Sequence, residues 1–296
     1  MPLVVATGRL RTMSAPAPVG VFDSGVGGIS IVLEMRARMP ALDILYLSDA
    51  RFLPYGDRDE AFVLARSLAA ADFLVARGAR ALVVACNTAT AAAVPALRAR
   101  FDVPVIGVEP AVKPAALATR SGIVGILATA STLQSRRYAD LLERFGGFAR
   151  VIGQPCPGLV EQVEAGDFDG PDTRALLERH LAPLLAAGAD TLVLGCTHYP
   201  FLRPLIEQLA GPQVCVVDPS GAVARRVQDV LGADTGGAGV FQAFTTGDAP
   251  SQSALMTRLL GQSVLVEAAD LGPDQIIGVR PHLFSEMPDL RRVSDD

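Results

Sequence analysis

The chain has 296 residues, of which 50% are apolar and 19% are charged, and its formal net charge is −5. This length and apolar content provide for one large core or two ordinary ones, and they exclude a disordered chain. The acidic balance and the lack of a basic cluster argue against nucleic acid as the primary ligand.

Short Val, Ile and Leu runs alternate along the chain with longer Ala-, Arg- and Leu-rich amphipathic segments. This alternation is typical of βα units around mainly parallel sheets, so it predicts an α/β fold. In chain order, the predicted strands are PVGVF, DILYL, ALVVA, VPVIGV, GIVGIL, ARVIG, TLVLG, QVCVV and SVLVE. The clearest predicted helices span residues 29–39, 60–77, 132–145, 173–187 and 201–209.

Two stretches of the chain are similar enough to be copies of one unit. GARALVVACNT begins at Gly78 and GADTLVLGCTH begins at Gly188, and each places a cysteine directly after a buried-looking strand. The repetition predicts two pseudo-symmetric α/β domains with the active site in the cleft between them. We expect the first domain to comprise residues 1–110 and 219–296, with 1–18 as an extension, and the second to comprise residues 111–218.

Polar residues follow five of the predicted strands. In open α/β sheets, ligands bind beyond the carboxyl ends of the strands, so these positions are candidate site residues. One cysteine at such a place is more often an inert core residue, but the repetition of Cys86 and Cys196 favours a shared chemical role. Cys156 and Cys215 are not repeated and are interpreted as structural. The strand-end positions are Asp23 with Ser24, Asp49, Cys86 with Asn87 and Thr88, Thr129, and Cys196 with Thr197 and His198.

Two glycine-containing stretches allow more than one interpretation. FDSGVGG, from Phe22 to Gly28, fits neither the dinucleotide nor the P-loop spacing, and a tight strand-to-helix turn accounts for its glycines. FLPYG, from Phe52 to Gly56, is either an ordinary Pro/Gly turn or a segment whose tyrosine and backbone N–H groups close over a substrate carboxylate.

Other features indicate the setting of the protein. No apolar run reaches 18 residues and no signal-peptide core precedes Arg9, so we expect neither membrane spanning nor export. The four cysteines show no CxxC spacing, which disfavours a disulfide framework or a zinc ribbon and favours the reducing cytoplasm. The single lysine, Lys113, lies in a proline-framed connector, so a pyridoxal phosphate enzyme is disfavoured. We therefore expect no cofactor and no metal.

Six motifs occur in one order along the chain: GVFDSGVGG, DARFLPYG, ACNTAT, PVIGVEPAVKPA, GCTHYP and VDPSGAVA. Together they resemble the glutamate racemase family, over residues 19 to 231. The resemblance implies a cofactor-independent isomerase that interconverts L-glutamate and D-glutamate and supplies D-glutamate for peptidoglycan and the cell wall. We also expect a homodimer.

The resemblance implies roles for individual residues. Cys86 and Cys196 correspond to the two acid/base thiols, Cys86 acting on D-glutamate and Cys196 on L-glutamate. Asp23 and His198 correspond to groups that tune them. A further carboxylate follows the CP motif, where alignment favours Glu164 and leaves Glu161 as the alternative. The implied substrate-binding set is Asp23, Ser24, Tyr55, Gly56, Asn87, Thr88, Thr197 and His198.

The chemistry of the residues agrees with this assignment. Racemisation needs a base on one face of the α-carbon and an acid on the other, which two repeated thiols across a cleft would supply. Three alternatives remain open. The first is a thiol hydrolase using Cys196 with His198, although their two-residue spacing disfavours a thiolate–imidazole pair. The second is a related racemase or decarboxylase that acts on aspartate or another substrate. The third is a binding protein that holds glutamate without exchanging its α-proton.

Overall fold

The computed structural model of the protein describes residues 17–145, 147–233 and 235–272. Residues 1–16 of the expected extension lie outside these ranges. The strands are β1 Val19–Asp23, β2 Ile44–Ser48, β3 Ala81–Val84, β4 Val105–Gly107, β5 Ile123–Ala128, β6 Arg150–Pro155, β7 Thr191–Leu194, β8 Cys215–Val217, β9 Phe241–Thr245 and β10 Val266–Ala268. The helices are α1 Ile29–Arg38, α2 Glu60–Ala76, α3 Asn87–Arg100, α4 Val112–Ala118, α5 Ala130–Gln134, α6 Arg136–Phe145, α7 Leu159–Glu164, α8 Pro171–Ala186, α9 Arg203–Ala210, α10 Ser220–Leu231 and α11 Ala249–Leu260.

The strands form two parallel sheets, which confirms the predicted α/β class. One has the order β10-β9-β2-β1-β3-β4 and the other has the order β6-β5-β7-β8. The order β2-β1-β3-β4 in the first sheet is repeated as β6-β5-β7-β8 in the second, so β3 corresponds to β7. The first sheet draws on residues 19–107 and 241–268, and the second on residues 123–217. The domain limits drawn from the sequence stay a prediction.

The repeat extends to the turns that precede the equivalent strands. Gly78 has a φ of +88° before β3, and Gly188 has a φ of +86° before β7. A positive φ is strained for residues with a Cβ atom, so glycine ends each preceding helix at low cost. The same turn therefore delivers each cysteine-bearing strand into its sheet.

The central strands of the first sheet are buried on both faces. Side chains alternate along β1, so that Val19 and Val21 pack into one hydrophobic cluster and Phe22 into another. The first of these clusters continues to residues of the second sheet, including Leu127 and Leu192. This shared core holds the carboxyl ends of the two sheets close together. Among the described residues, none of the helices combines the length and the apolar character that crossing a membrane requires.

Two sequence predictions of secondary structure were incomplete. Strand β9 was not predicted, although it pairs with β2 over its whole length. The helix expected over 132–145 is broken at Ser135, which has an extended backbone with a ψ of 145°. The hydroxyl of Ser135 donates to the Thr132 carbonyl and accepts from the Tyr138 backbone N–H, so it ends α5 and begins α6.

Candidate active site

A closed cavity of about 10 Å³ lies where the carboxyl ends of the two sheets meet. Cys86, at the end of β3, and Cys196, at the end of β7, both line it. This volume is close to the minimum that holds one water molecule, so the structure is a closed form. The full lining is Ser24, Pro54, Tyr55, Gly56, Cys86, Asn87, Thr88, Thr129, Val160, Cys196, Thr197 and His198.

Cys86 caps the N-terminus of α3. Its Sγ accepts from the Ala89 backbone N–H at 3.5 Å, and the thiol donates to the Ser24 Oγ at 3.9 Å. Burial and the negative charge of Asp23 raise the pKa of the Cys86 thiol well above its ordinary value. Cys86 is therefore protonated in the closed form and has the character of an acid.

Cys196 is paired with the histidine that follows it by two residues. The Cys196 Sγ lies 3.8 Å from the His198 Nδ1, within hydrogen-bonding distance for sulfur. The expectation that this spacing disfavours a thiol–imidazole pair was wrong, because the chain turns directly after β7 and brings the two side chains back together.

His198 and Glu164 form a buried ion pair. The His198 Nε2 lies 2.7 Å from the Glu164 Oε1, and the two side chains are 2% and 11% exposed. Burial alone would lower the pKa of His198, but its hydrogen bonds to Cys196 and Glu164 raise it well above 6.5. Burial would raise the pKa of Glu164, but the hydrogen bond and charge of His198 lower it below 4.5. The alternative carboxylate, Glu161, is exposed on the first turn of α7.

Asp23 lies behind the cavity wall, fully buried. Its carboxylate accepts from the backbone N–H groups of Ser24 and Gly28, both at 2.6 Å, and from the Thr197 hydroxyl at 3.1 Å. Burial raises the pKa of Asp23, although the charge of His198 and the hydrogen bond from the Ser24 backbone N–H oppose this shift. Asp23 thus contacts Ser24, which accepts from the Cys86 thiol, and Thr197, which follows Cys196 in the chain.

The remaining residues of the binding set all line the cavity. Asn87 stands out because both polar atoms of its side-chain amide are buried without a hydrogen-bond partner. A buried amide without partners is costly, so it favours a polar ligand in the cavity. Tyr55 lines the cavity, and its hydroxyl donates to Asp49 at 2.6 Å.

Two further residues that line the cavity, Pro54 and Val160, were not candidates from the sequence. Thr129, a strand-end candidate, also lines it. Pro54 lies in the FLPYG stretch, so the sequence contained a signal for it. Val160 lies on α7 inside an apolar run, and nothing in the sequence separates it from a core residue.

Two glycines of FDSGVGG allow the loop after β1 to pack closely against residues of the second half of the molecule. A Cβ atom at Gly25 would overlap the Glu164 carboxylate, and one at Gly27 would overlap the His198 ring. The sequence interpretation, a tight turn, did not include this packing requirement. The loop after β1 therefore lies directly against the His198–Glu164 pair.

Within the part of the chain that the structure describes, neither a metal site nor a Schiff-base lysine lies near the thiols. Among the described residues, no group of three or more His, Cys, Asp and Glu side chains is arranged to hold a metal ion. Lys113 lies on α4 and lines a separate groove of about 770 Å³. The groups that face the cavity are thiols, hydroxyls, amides and one imidazole.

Comparisons with known proteins agree with this site. A sequence model of the Asp/Glu/Hydantoin racemase family matches residues 30–227. The chain is 50% identical over 255 residues to a glutamate racemase from Stutzerimonas stutzeri (strain A1501), which covers 85% of this chain and 97% of that protein. It is 56% identical over 218 residues to a glutamate racemase from Pseudomonas aeruginosa (strain PAO1), over 73% of this chain and 82% of that one.

Solved structures give the same result. The glutamate racemase isoform RacE1 of Bacillus anthracis superposes with a TM-score of 0.79 at 32% identity, covering 87% of this chain and 99% of that one. The Escherichia coli glutamate racemase, in complex with L-glutamate and the activator UDP-MurNAc-ala, superposes with a TM-score of 0.77 at 36% identity, over 86% and 98% of the two chains. The chain therefore belongs to the Asp/Glu/Hydantoin racemase family, and within it to the glutamate racemases.

Proposed function

We propose that the chain interconverts L-glutamate and D-glutamate by a two-thiol acid/base mechanism that needs no cofactor. The observation that carries this proposal is that Cys86 and Cys196, at equivalent strand ends of the two sheets, line one closed cavity. Solved relatives hold L-glutamate in the Escherichia coli protein and D-glutamate in the Francisella tularensis protein. These complexes support glutamate as the substrate here.

In the direction from L-glutamate, the Cys196 thiolate takes the α-proton and becomes a thiol. The electron pair left on the α-carbon delocalises into the α-carboxylate, and the Cys86 thiol then delivers its proton to the opposite face. The closed form suits this direction, because Cys86 is protonated and His198 can take the Cys196 proton beforehand. One proton enters and one leaves the α-carbon, so the reaction is balanced.

The reverse direction requires that Cys86 first lose its proton. Asp23 is the group suited to accept it, because its buried carboxylate has a raised pKa and is linked to the Cys86 thiol through the Ser24 hydroxyl, which accepts from the thiol and donates to the Asp23 Oδ1 at 3.3 Å. His198 and Asp23 thus act as proton partners for Cys196 and Cys86 respectively. Glu164 holds the imidazolium of His198 in place.

The intermediate carries extra negative charge, which the cavity must stabilise. The Asn87 amide has no partner within the protein, and Ser24, Thr88 and Thr197 also line the cavity. Donors fixed in place before the reaction stabilise such charge best in a site that excludes water. The small closed volume supports this arrangement.

We extend the proposal to the biological setting. D-glutamate produced here would supply peptidoglycan synthesis in the cytoplasm, where the four free cysteines would remain reduced. A homodimer and the domain limits given above, 1–110 with 219–296 and 111–218, belong to the same proposal.

The decisive experiment measures α-proton exchange and racemisation in the variants Cys86→Ser and Cys196→Ser. Each change removes the acid or base for one face, so we expect racemisation to fall by at least about 10²-fold while the fold is kept. Cys215→Ser is the matched control, because Cys215 is exposed and lies on β8, away from the cavity. Circular dichroism monitors folding.

The possible outcomes separate the alternatives. Full racemisation in either thiol variant would refute the two-thiol mechanism. Hydrolytic activity that depends on Cys196 and His198 but not on Cys86 would favour the thiol hydrolase. Binding of glutamate by the unaltered protein without α-proton exchange would identify a binding protein, and faster turnover of aspartate than of glutamate would reassign the substrate.

A further inference from the structure

Gln252, on α11, connects the C-terminal part of the chain to the proposed catalytic machinery. Gln252 is 7% exposed, and its side chain lies between Ser48, the last residue of β2, and Glu164. It lies beyond residues 30–227, the range that the family model matches. Gln252 does not line the cavity, so any influence on the reaction passes through its neighbours.

The orientation of the Gln252 amide is determined by what it contacts. The Glu164 Oε2 is an acceptor, so it must face the amide NH₂ group, at 3.2 Å. The amide oxygen then faces the Ser48 hydroxyl, which donates to it at 2.9 Å. Both ends of the amide are therefore satisfied in a single orientation.

We propose that Gln252 is a positioning residue for racemisation, which holds the Glu164 carboxylate against His198 so that the imidazole faces Cys196. The inference rests on the proposed two-thiol function. It joins five residues in one chain of hydrogen bonds, which runs Ser48, Gln252, Glu164, His198 and Cys196.

The two oxygens of Glu164 are not equivalent. Oε1 accepts from the Val26 backbone N–H and faces His198 Nε2, both at 2.7 Å, whereas the hydrogen bond described for Oε2 is the one from Gln252. Without Gln252, Oε2 would be largely buried with no donor, and the carboxylate would be free to rotate or to take up a proton. Either change weakens its hold on His198.

Three charged or titratable side chains lie around Glu164. They are His198 on the loop after β7, Tyr46 on β2, and Asp23, which with His198 lies close to Gly27. His198 is the positive partner and Asp23 is a carboxyl group of like sign. The Gln252 amide adds a donor without adding charge, so it stabilises the ionised form of Glu164 without competing with His198.

The test compares Gln252→Leu and Ser48→Ala with the control Gln262→Leu, which changes an exposed glutamine just after α11. We expect Gln252→Leu to lower kcat about tenfold with little change in KM, because the residue does not touch substrate. We also expect the acidic limb of the kcat/KM profile to move to higher pH. Ser48→Ala should have a smaller effect in the same direction, and Gln262→Leu should have none.

A second readout does not depend on catalysis. The chain has three histidines, so NMR can follow the imidazole titration of His198 after assignment against a His198→Asn sample. We expect the pKa of His198 to fall in Gln252→Leu. A folded Gln252→Leu protein with unchanged His198 titration and pH profile, or with lower activity and no shift in either, would overturn the proposal.

The two readouts separate this inference from the function on which it rests. If Cys196→Ser retains racemisation, the two-thiol mechanism fails, while the His198 titration still reports whether Gln252 acts through Glu164. If Gln252→Leu fails to fold, Ser48→Ala decides the question, because it removes one hydroxyl and leaves the side chains of Gln252 and Glu164 in place. An unshifted His198 titration in folded Ser48→Ala would then overturn the proposal.

Discussion

At the scale of single residues, the site contains the buried ion pair of Glu164 and His198, in which the pKa of the carboxyl is lowered and the pKa of the imidazole is raised. The hydrogen bond and charge of His198 lower the pKa of Glu164 below 4.5, and hydrogen bonds to Cys196 and Glu164 raise the pKa of His198 well above 6.5. A carboxyl whose pKa is lowered in the folded state contributes stability that is lost as the pH falls through that pKa. An imidazole whose pKa is raised contributes stability that is lost as the pH rises through that pKa.

The first prediction concerns this pair. Glu164→Gln should lower the free energy of unfolding by about 3 kcal/mol between pH 4.5 and 6.5, where the pair is fully charged in the folded state. The difference should shrink below the lowered pKa of Glu164 and above the raised pKa of His198. Urea unfolding at several pH values measures it.

Glu161→Gln is the matched control, because Glu161 lies on the same helix and is exposed. It should change the free energy of unfolding little at any pH. A loss that does not depend on pH in Glu164→Gln would show that the pair is not charged as described. A larger effect in Glu161→Gln would favour that residue as the carboxylate partner.

At the scale of elements, a second buried ion pair supports the segment that carries Tyr55 and Gly56. Arg66, on α2, donates to both oxygens of Asp49 at 2.8 and 2.9 Å, and the Tyr55 hydroxyl donates to the same carboxylate. Thr246, just after β9, donates to it at 2.8 Å. Asp49 follows a strand end as the sequence suggested, but it holds a loop and does not line the cavity.

The second prediction tests this support. Arg66→Lys keeps the positive charge but loses the bidentate hydrogen bond to Asp49, so the Tyr55–Gly56 segment should be held less firmly. If this segment binds substrate equally in the ground state and the transition state, KM for both enantiomers should rise about tenfold with a smaller change in kcat. Steady-state kinetics in both directions measure this.

Arg58→Lys is the control for the second prediction, because Arg58 is exposed at the end of the same segment. It should leave both constants near their original values. If Arg66→Lys lowers kcat and leaves KM unchanged, the network supports the chemical step and not the binding of substrate.

At the scale of the whole molecule, the structure is too closed to admit its substrate. The cavity of about 10 Å³ is smaller than glutamate, so we expect the site to widen when substrate binds. The hydroxyls of Thr88 on α3 and of Thr129 and Thr132 at α5 lie 2.9 to 3.4 Å apart and bridge the two halves. Cys86 is 5% exposed and Cys196 is 7% exposed, so we expect reagents to reach both thiols mainly from a wider form.

The third prediction uses the cysteines to detect opening. Cys86 and Cys196 should react with iodoacetamide through the open form, and glutamate at about 100 times its Kd should slow both reactions by about 100-fold. Peptide mass spectrometry resolves each site. Cys215 is exposed and should react at the same rate with or without glutamate, whereas Cys156 is buried and should stay unmodified. Equal Cys86 labelling with and without glutamate would contradict this account.

The sequence by itself determined the parallel α/β class and the position of both thiols. Buried strands read as continuous apolar runs, and a duplicated unit repeats the turn, the strand and the cysteine in the same order, so local pattern was sufficient. The same reasoning missed β9, because FQAFT mixes polar and apolar residues. Its place beside β2 comes from pairing with a distant segment.

Only the tertiary structure decided which side chains meet at the thiols. Glu164 and His198 are 34 positions apart, and Gln252 is a further 88 positions from Glu164, on α11. Such contacts depend on how helices and loops pack around the two sheets, and local periodicity contains no information about that packing. The closed cavity and the unpartnered Asn87 amide have the same origin, because they exist only when the carboxyl ends of both sheets are brought together.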